Sequence, residues 1–170
     1  KWRKGHNELV ERKQQKELSV RAEEMSEKIP HVNGGCISIR DKYEYTDEWY
    51  CEIVPSGIEE IMAEGRNLNH CVGKSERYWE RIERKEAFVL FLRRASAPEN
   101  PYYTLEVEPN GTIRQKRTHY DRQGKDIDDA SAFLRKWQKV VAARLTEDDK
   151  ALAARSKEQR LLEFADLKEK

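Results

Sequence analysis

The chain has 170 residues, the size of one ordinary domain or of a small domain with helical extensions, which excludes two full cores. Charged residues make up 38% of it and hydrophobic ones 37%, and 33 Lys and Arg nearly cancel 32 Asp and Glu, so no global field draws polyanions and a nucleic-acid site has to be a local patch. No apolar run approaches the roughly 20 residues needed to cross a bilayer, the opening Lys1-Trp2-Arg3-Lys4 does not lead into a signal peptide, and Cys36, Cys51 and Cys71 make no disulfide framework, so a cytoplasmic protein with no membrane association is expected.

Over residues 5–29 charge of both signs is dense, and Leu9, Val10, Leu18, Met25 and Ile29 are the apolar points; this predicts a long helix with a narrow buried stripe, ended by Pro30. Asn33-Gly34-Gly35 reads as a turn, and residues 36–40 and 43–54, rich in β-branched and aromatic side chains, as the strands of a hairpin. Ser56 with Glu59 suggests a capped helix, apolar at Ile58, Ile61 and Met62 and stopped at Gly65. Residues 67–74 are irregular, and Ser75 opens a helix that buries Tyr78, Trp79 and Ile82.

Residues 87–93 are the most apolar run and predict a central strand covered on both faces. Residues 101–108 and 112–120 flank Asn110-Gly111, the strongest short hairpin signal in the chain. After a polar loop at 121–125, Phe133, Leu134, Trp137, Val140 and Val141 recur at helical spacing over 127–145, and a charged helix fills 146–170. The order implies an α+β fold: a largely antiparallel sheet of about five strands with packed helices in a core over 31–145, between charged terminal helices at 1–30 and 146–170.

If Asn110 and Gly111 are the central turn residues, Pro109 opposes Thr112, and the pairs Glu106 with Gln115, Thr104 with Arg117 and Tyr102 with His119 follow, these six side chains on one face. The other face sets Tyr103, Leu105 and Val107 against Thr118, Lys116 and Arg114, so the second strand is expected at an edge, with the Glu106 face partly open. A carboxylate, a guanidinium and an imidazole on one face suit phosphodiester chemistry as base, phosphate clamp and acid, although polar cross-strand pairs also serve simply to stabilise a wet edge. Arg114, Lys116, Arg117, Arg122 and Lys125 form the one basic stretch, which reads as a phosphate-binding edge or as a solvated edge protected by charge. His70 and Cys71 lie in the irregular segment between two helices, where Cys71 is either a nucleophile or a small buried hydrophobe. Cys and His spacings match no zinc motif, and neither a Walker loop nor a GxGxxG sequence occurs, so no metal and no cofactor is expected.

The run Glu64-Gly65-Arg66-Asn67-Leu68-Asn69-His70-Cys71-Val72-Gly73, residues 88–93, Pro101-Tyr102-Tyr103-Thr104-Leu105-Glu106-Val107, Gln115 and the helix at 133–137 together resemble the PcfJ-like proteins of conjugative plasmids, phages and other mobile elements. Gly5-His6-Asn7-Glu8-Leu9 resembles the segment that precedes this core, so the likeness runs from about residue 2 to 142. The family's Gly-x-x-Asn turn after Gln is replaced here by Thr118-His119-Tyr120-Asp121. The resemblance implies a C-terminal core domain of a longer protein and adds weight to His70, Thr104, Glu106 and Gln115 as a site. The resulting expectation is a metal-independent, ribonuclease-like domain acting on RNA or single-stranded DNA. Glu106 is the base, His70 or His119 the acid, and Arg93 or Arg117 the phosphate clamp. Thr104 and Gln115 orient the substrate, and Arg114 and Lys116 belong to its binding edge. The alternative is a non-catalytic module that binds nucleic acid through that edge or a protein partner through the terminal helices.

Overall fold

The computed structural model describes residues 2–70 and 76–169, with side chains from residue 5 to 164 within that span. Helix α1 (Trp2–Lys28) is too highly charged to bury much, and of its apolar points Leu18 is covered while Leu9 stays 65% exposed. Gln15 and Ser19 tie it to the next layer through Glu59.

The turn expected at Asn33-Gly34-Gly35 and the strand expected at 36–40 are instead helical, in α2 (His31–Ser38) and α3 (Arg40–Tyr43). Val32 and Cys36 lie four residues apart and bury together against Ile58, Trp79 and Ile82, and this shared burial outweighs the local glycine preference. Asn33 makes no turn because its Oδ1 accepts the backbone N–H of Ile58 at 2.9 Å and caps α4 (Ile58–Leu68). Gly57, not Ser56, occupies the N-cap position, and α4 runs through Gly65 to stop at Asn69, whose left-handed φ of 51° ends it. The backbone N–H groups of Asn69 and His70 donate to Arg66 at 3.2 Å and Gly65 at 3.1 Å, the paired bonds of a Schellman ending, and so fix where His70 emerges. Helix α5 (Glu76–Glu83) buries Trp79 and Ile82.

Five antiparallel strands form a sheet in sequence order: β1 (Tyr45–Thr46), β2 (Tyr50–Ile53), β3 (Phe88–Arg94), β4 (Tyr103–Val107) and β5 (Ile113–Arg117). The fold is therefore α+β, with the apolar strand β3 at the centre of the sheet. One face carries Phe88, Leu90, Leu92, Tyr103, Leu105 and Val107 against Phe133 and Trp137 of α6 (Ser131–Arg144). The opposite face carries Val89 and Phe91 against α2, α4 and α5. Both faces are thus covered, and β4 is buried at every position, so the partly open face expected around Glu106 is closed.

The β4–β5 connection is one residue longer than expected. Gly111 donates to the Glu108 carbonyl at 2.8 Å and Glu108 to the Thr112 carbonyl at 2.8 Å, so Pro109-Asn110-Gly111 forms a three-residue loop with Gly111 at φ 92°. Glu108, not Pro109, opposes Thr112. A register shift between Glu106 and Val107 then restores the expected pairs, Glu106 with Gln115 and Thr104 with Arg117, and leaves Arg114 as the extra residue. The ladder ends at Arg117. Thr118 donates its hydroxyl to the Tyr102 carbonyl at 2.6 Å, and His119 enters a 3-10 turn (His119–Asp121) instead of pairing with Tyr102.

Helix α7 (Glu147–Glu169) is pinned at its start, where Thr146 and Asp149 cap one another and Asp149 holds Lys42 at 2.7 Å. Further along it Ser156, 1% exposed, donates to the Glu86 carbonyl at 2.6 Å and receives Arg114.

Candidate functional site

Because β-strand side chains alternate, the face that carries Val89 and Phe91 also carries Arg93, Thr104, Glu106, Gln115 and Arg117. The end of α4 and the length of α5 lie over it. Each polar group on this face meets a partner from those helices, from His70 just beyond α4 or from the sheet, which is what burial requires.

The Thr104 hydroxyl lies 2.8 Å from His70 Nε2, and both residues are 1% exposed. Two residues along the strand, both Glu106 carboxylate oxygens accept from one Arg81 nitrogen at 2.7 Å. Gln115, directly opposite Glu106, donates to the Tyr78 hydroxyl, so α5 contributes both Arg81 and Tyr78. On β3, Arg93 donates to Glu64 Oε1 at 2.6 Å and to the Pro98 carbonyl at 2.9 Å. Arg93 and Thr104 are diagonal neighbours, about 7–8 Å apart in such a ladder, so the Glu64 and His70 pairs sit side by side.

Burial raises the Glu106 carboxyl above its ordinary value, opposed by the charges of Arg81 and Arg114. Burial likewise raises Glu64, opposed by Arg93, and it raises the Tyr78 hydroxyl. The result is a row of carboxyls and hydroxyls whose protons are held more tightly than in water, arranged around an imidazole.

The expected residues separate into four groups. His70, Thr104, Glu106 and Gln115 come together, with Arg117 opposite Thr104. His119 is exposed in the 3-10 turn, which packs against α4. Arg93 and Arg114 are not free clamps. Arg93 is committed to Glu64, and every Arg114 nitrogen is engaged, by Glu86, Glu108 or Ser156, with 8% of its side chain exposed. Lys116 points to the other face, half-buried. The nucleophile considered at Cys71 lies outside the described residues. Among the described residues no three His, Cys, Asp or Glu side chains gather to hold a metal ion, and no helix is long and apolar enough to cross a membrane.

Sequence reasoning missed Glu64, Tyr78 and Arg81. A signal existed: Glu64 falls on the buried stripe of α4 between Ile61 and Leu68, and Arg81 follows Tyr78 by three on the inner side of α5. A charge on the buried side of a helix needs a partner across the interface.

A family model described as PcfJ-like protein matches residues 2–131, and the chain is a member of that family. Over 74 residues it is 39% identical to the "Uncharacterized protein Lin1253/Lin1744" of Listeria innocua serovar 6a (strain ATCC BAA-680 / CLIP 11262). That stretch spans 44% of this chain and 16% of the Listeria protein, so the likeness covers a minor part of the longer relative. No solved structure matches.

Proposed function

We propose that the chain is a nucleic-acid-acting domain of a mobile-element protein, cleaving RNA or single-stranded DNA by proton transfer without a metal ion. The observation that carries this reading is the convergence of His70, Thr104, Glu106, Gln115 and Arg117 on one sheet face. Arg117, half-buried at the edge, meets the phosphate charge. Glu106, fixed by Arg81 and with its carboxyl pushed upward by burial, accepts a proton from the attacking hydroxyl. His70, oriented by Thr104, returns one to the leaving oxygen. Thr104 and Gln115 fix the geometry rather than react.

The test uses end-labelled RNA and single-stranded DNA with a chelator present. Wild type should cleave, Glu106→Gln should bind without turnover, and Arg117→Ala should weaken binding and flatten the salt dependence by about 0.7 in the log–log slope. A specific observation favours a second reading, a module that binds without cutting: His70, Thr104 and Glu106 are 1%, 1% and 4% exposed, so the floor of the row is closed. Binding that depends on Arg117, with no product formed, supports that reading over the first.

A further inference from the structure

Among the described residues four non-glycine positions have positive φ: Asn69, Lys85, Tyr120 and Asp121. The first two follow helices, and their N–H groups donate back to Arg66 and Ile82, so their backbone is explained as helix endings. Tyr120 and Asp121, with φ of 57° and 58°, end no α-helix; they are consecutive, and L side chains resist this conformation.

The strain is held from both sides. Thr118 donates its N–H to the Arg122 carbonyl at 2.7 Å and its hydroxyl to the Tyr102 carbonyl at 2.6 Å, and Arg122 donates to the His119 carbonyl at 3.2 Å. The 3-10 turn also packs on α4. The backbone so fixed turns the Tyr120 ring outward, 65% exposed, where it adds nothing to the core. The Arg122 guanidinium lies 5.8 Å from the ring centroid. At the end of β3, Arg94 covers Tyr102 in the same way at 4.3 Å. Arg117, Arg122 and Lys125 supply positive charge along this segment, with Asp121 the acid among them.

A strained, clamped turn that displays an aromatic ring beside a guanidinium offers a flat apolar surface next to a cation. We propose that Tyr120 is a stacking platform for an unpaired base of single-stranded nucleic acid, with Arg122 meeting the adjacent phosphate. A base exposes its ring face only when it is unpaired, so the platform selects single strands over duplex and tolerates any base. This rests on the reading that the chain binds nucleic acid, and it narrows that ligand to its single-stranded form.

The experiment is fluorescence anisotropy of the full chain with labelled oligo(U), oligo(dT) and an oligo(dA)·oligo(dT) duplex. Tyr120→Ala should weaken both single strands roughly 5- to 150-fold, the range found for loss of one stacked base, while Tyr120→Phe and Tyr120→Trp keep the affinity. The melting temperature of Tyr120→Ala should match wild type, since the ring is exposed. Trp49, 69% exposed but flanked by Asp47 and Glu48, is the control, and Trp49→Ala should bind as wild type does. Wild-type affinity in Tyr120→Ala alongside weakened binding in Arg117→Ala overturns the platform and leaves the parent reading standing. A loss confined to RNA, or one equally large on duplex, overturns it as well. Wild type that binds none of the three overturns the nucleic-acid reading and this inference together.

Discussion

Glu52 tests the physical account of the core most directly. It lies on β2 opposite Tyr45 and Leu92, is 1% exposed, and neither carboxylate oxygen has a hydrogen-bond partner among the described residues. Burial alone drives its carboxyl well above the ordinary range. Leaving such a group without a partner costs about 1–3 kcal/mol on mutational scales, even in the neutral form. Replacement by Met, which is unbranched and of similar length, should therefore stabilise the fold by about 1–3 kcal/mol, or about 2–12 °C in melting temperature for a chain of this size. The pH dependence follows from the same burial. Because the folded carboxyl titrates above the unfolded one, near 4.3, the contribution of this group to stability is greatest below that value. It then falls by up to about 1.4 kcal/mol per pH unit until the folded group ionises. Urea denaturation of wild type and Glu52→Met at pH 5, 6 and 7 measures both effects. The variant should be more stable at every pH, with a gap that widens as pH rises. A variant less stable than wild type, or a gap that stays constant with pH, would refute the reasoning.

Two further perturbations address how the polar row and the last helix are held. Arg81→Met leaves the Glu106 charge buried without its partner and should cost about 3–5 kcal/mol in urea denaturation, most of it recovered in the double variant with Glu106→Met; a cost below about 1 kcal/mol would mean that the pair is not buried as described. Thr146→Ala removes the hydroxyl that accepts the Asp149 N–H at 3.2 Å and should cost about 1 kcal/mol. Burial raises the Asp149 carboxyl, but Lys42 and Thr146 outweigh it and hold the group below its ordinary value. Its contribution is therefore present above the unfolded value, near 3.9, and lost as pH falls through the lower folded one. Acid titration of stability should accordingly show a smaller loss in Thr146→Ala than in wild type.

Local sequence carried some of these features a long way. The hairpin residues Thr104, Glu106, Gln115 and Arg117 fall on one face as expected, although two departures had to cancel: the loop is one residue longer, and the extra residue at Arg114 restores the register. Nothing in an Asn-Gly pair reveals that second shift, because Arg114 is drawn out of the ladder by Glu86, Glu108 and Ser156, groups far from it in the chain or beyond the turn. The glycine pair at 34 and 35 misled for a related reason. Turn preference is a weak local term, and burial of Val32 and Cys36 against three other helices overrides it.

By itself the sequence determined the alternation of helices and strands after residue 56, the central place of residues 88–93 and the face shared by the hairpin's polar residues, since hydrophobic period and turn chemistry act over a few residues. Only the tertiary structure decided that this face is roofed by α4 and α5, that Arg81 and Glu64 pair with Glu106 and Arg93, which had read as open groups, and that Arg93 and Arg114 are engaged within the fold. Those outcomes depend on which distant charges meet in a space without water, where a lone ion is too costly to leave unpaired, and no spacing along the chain records that meeting.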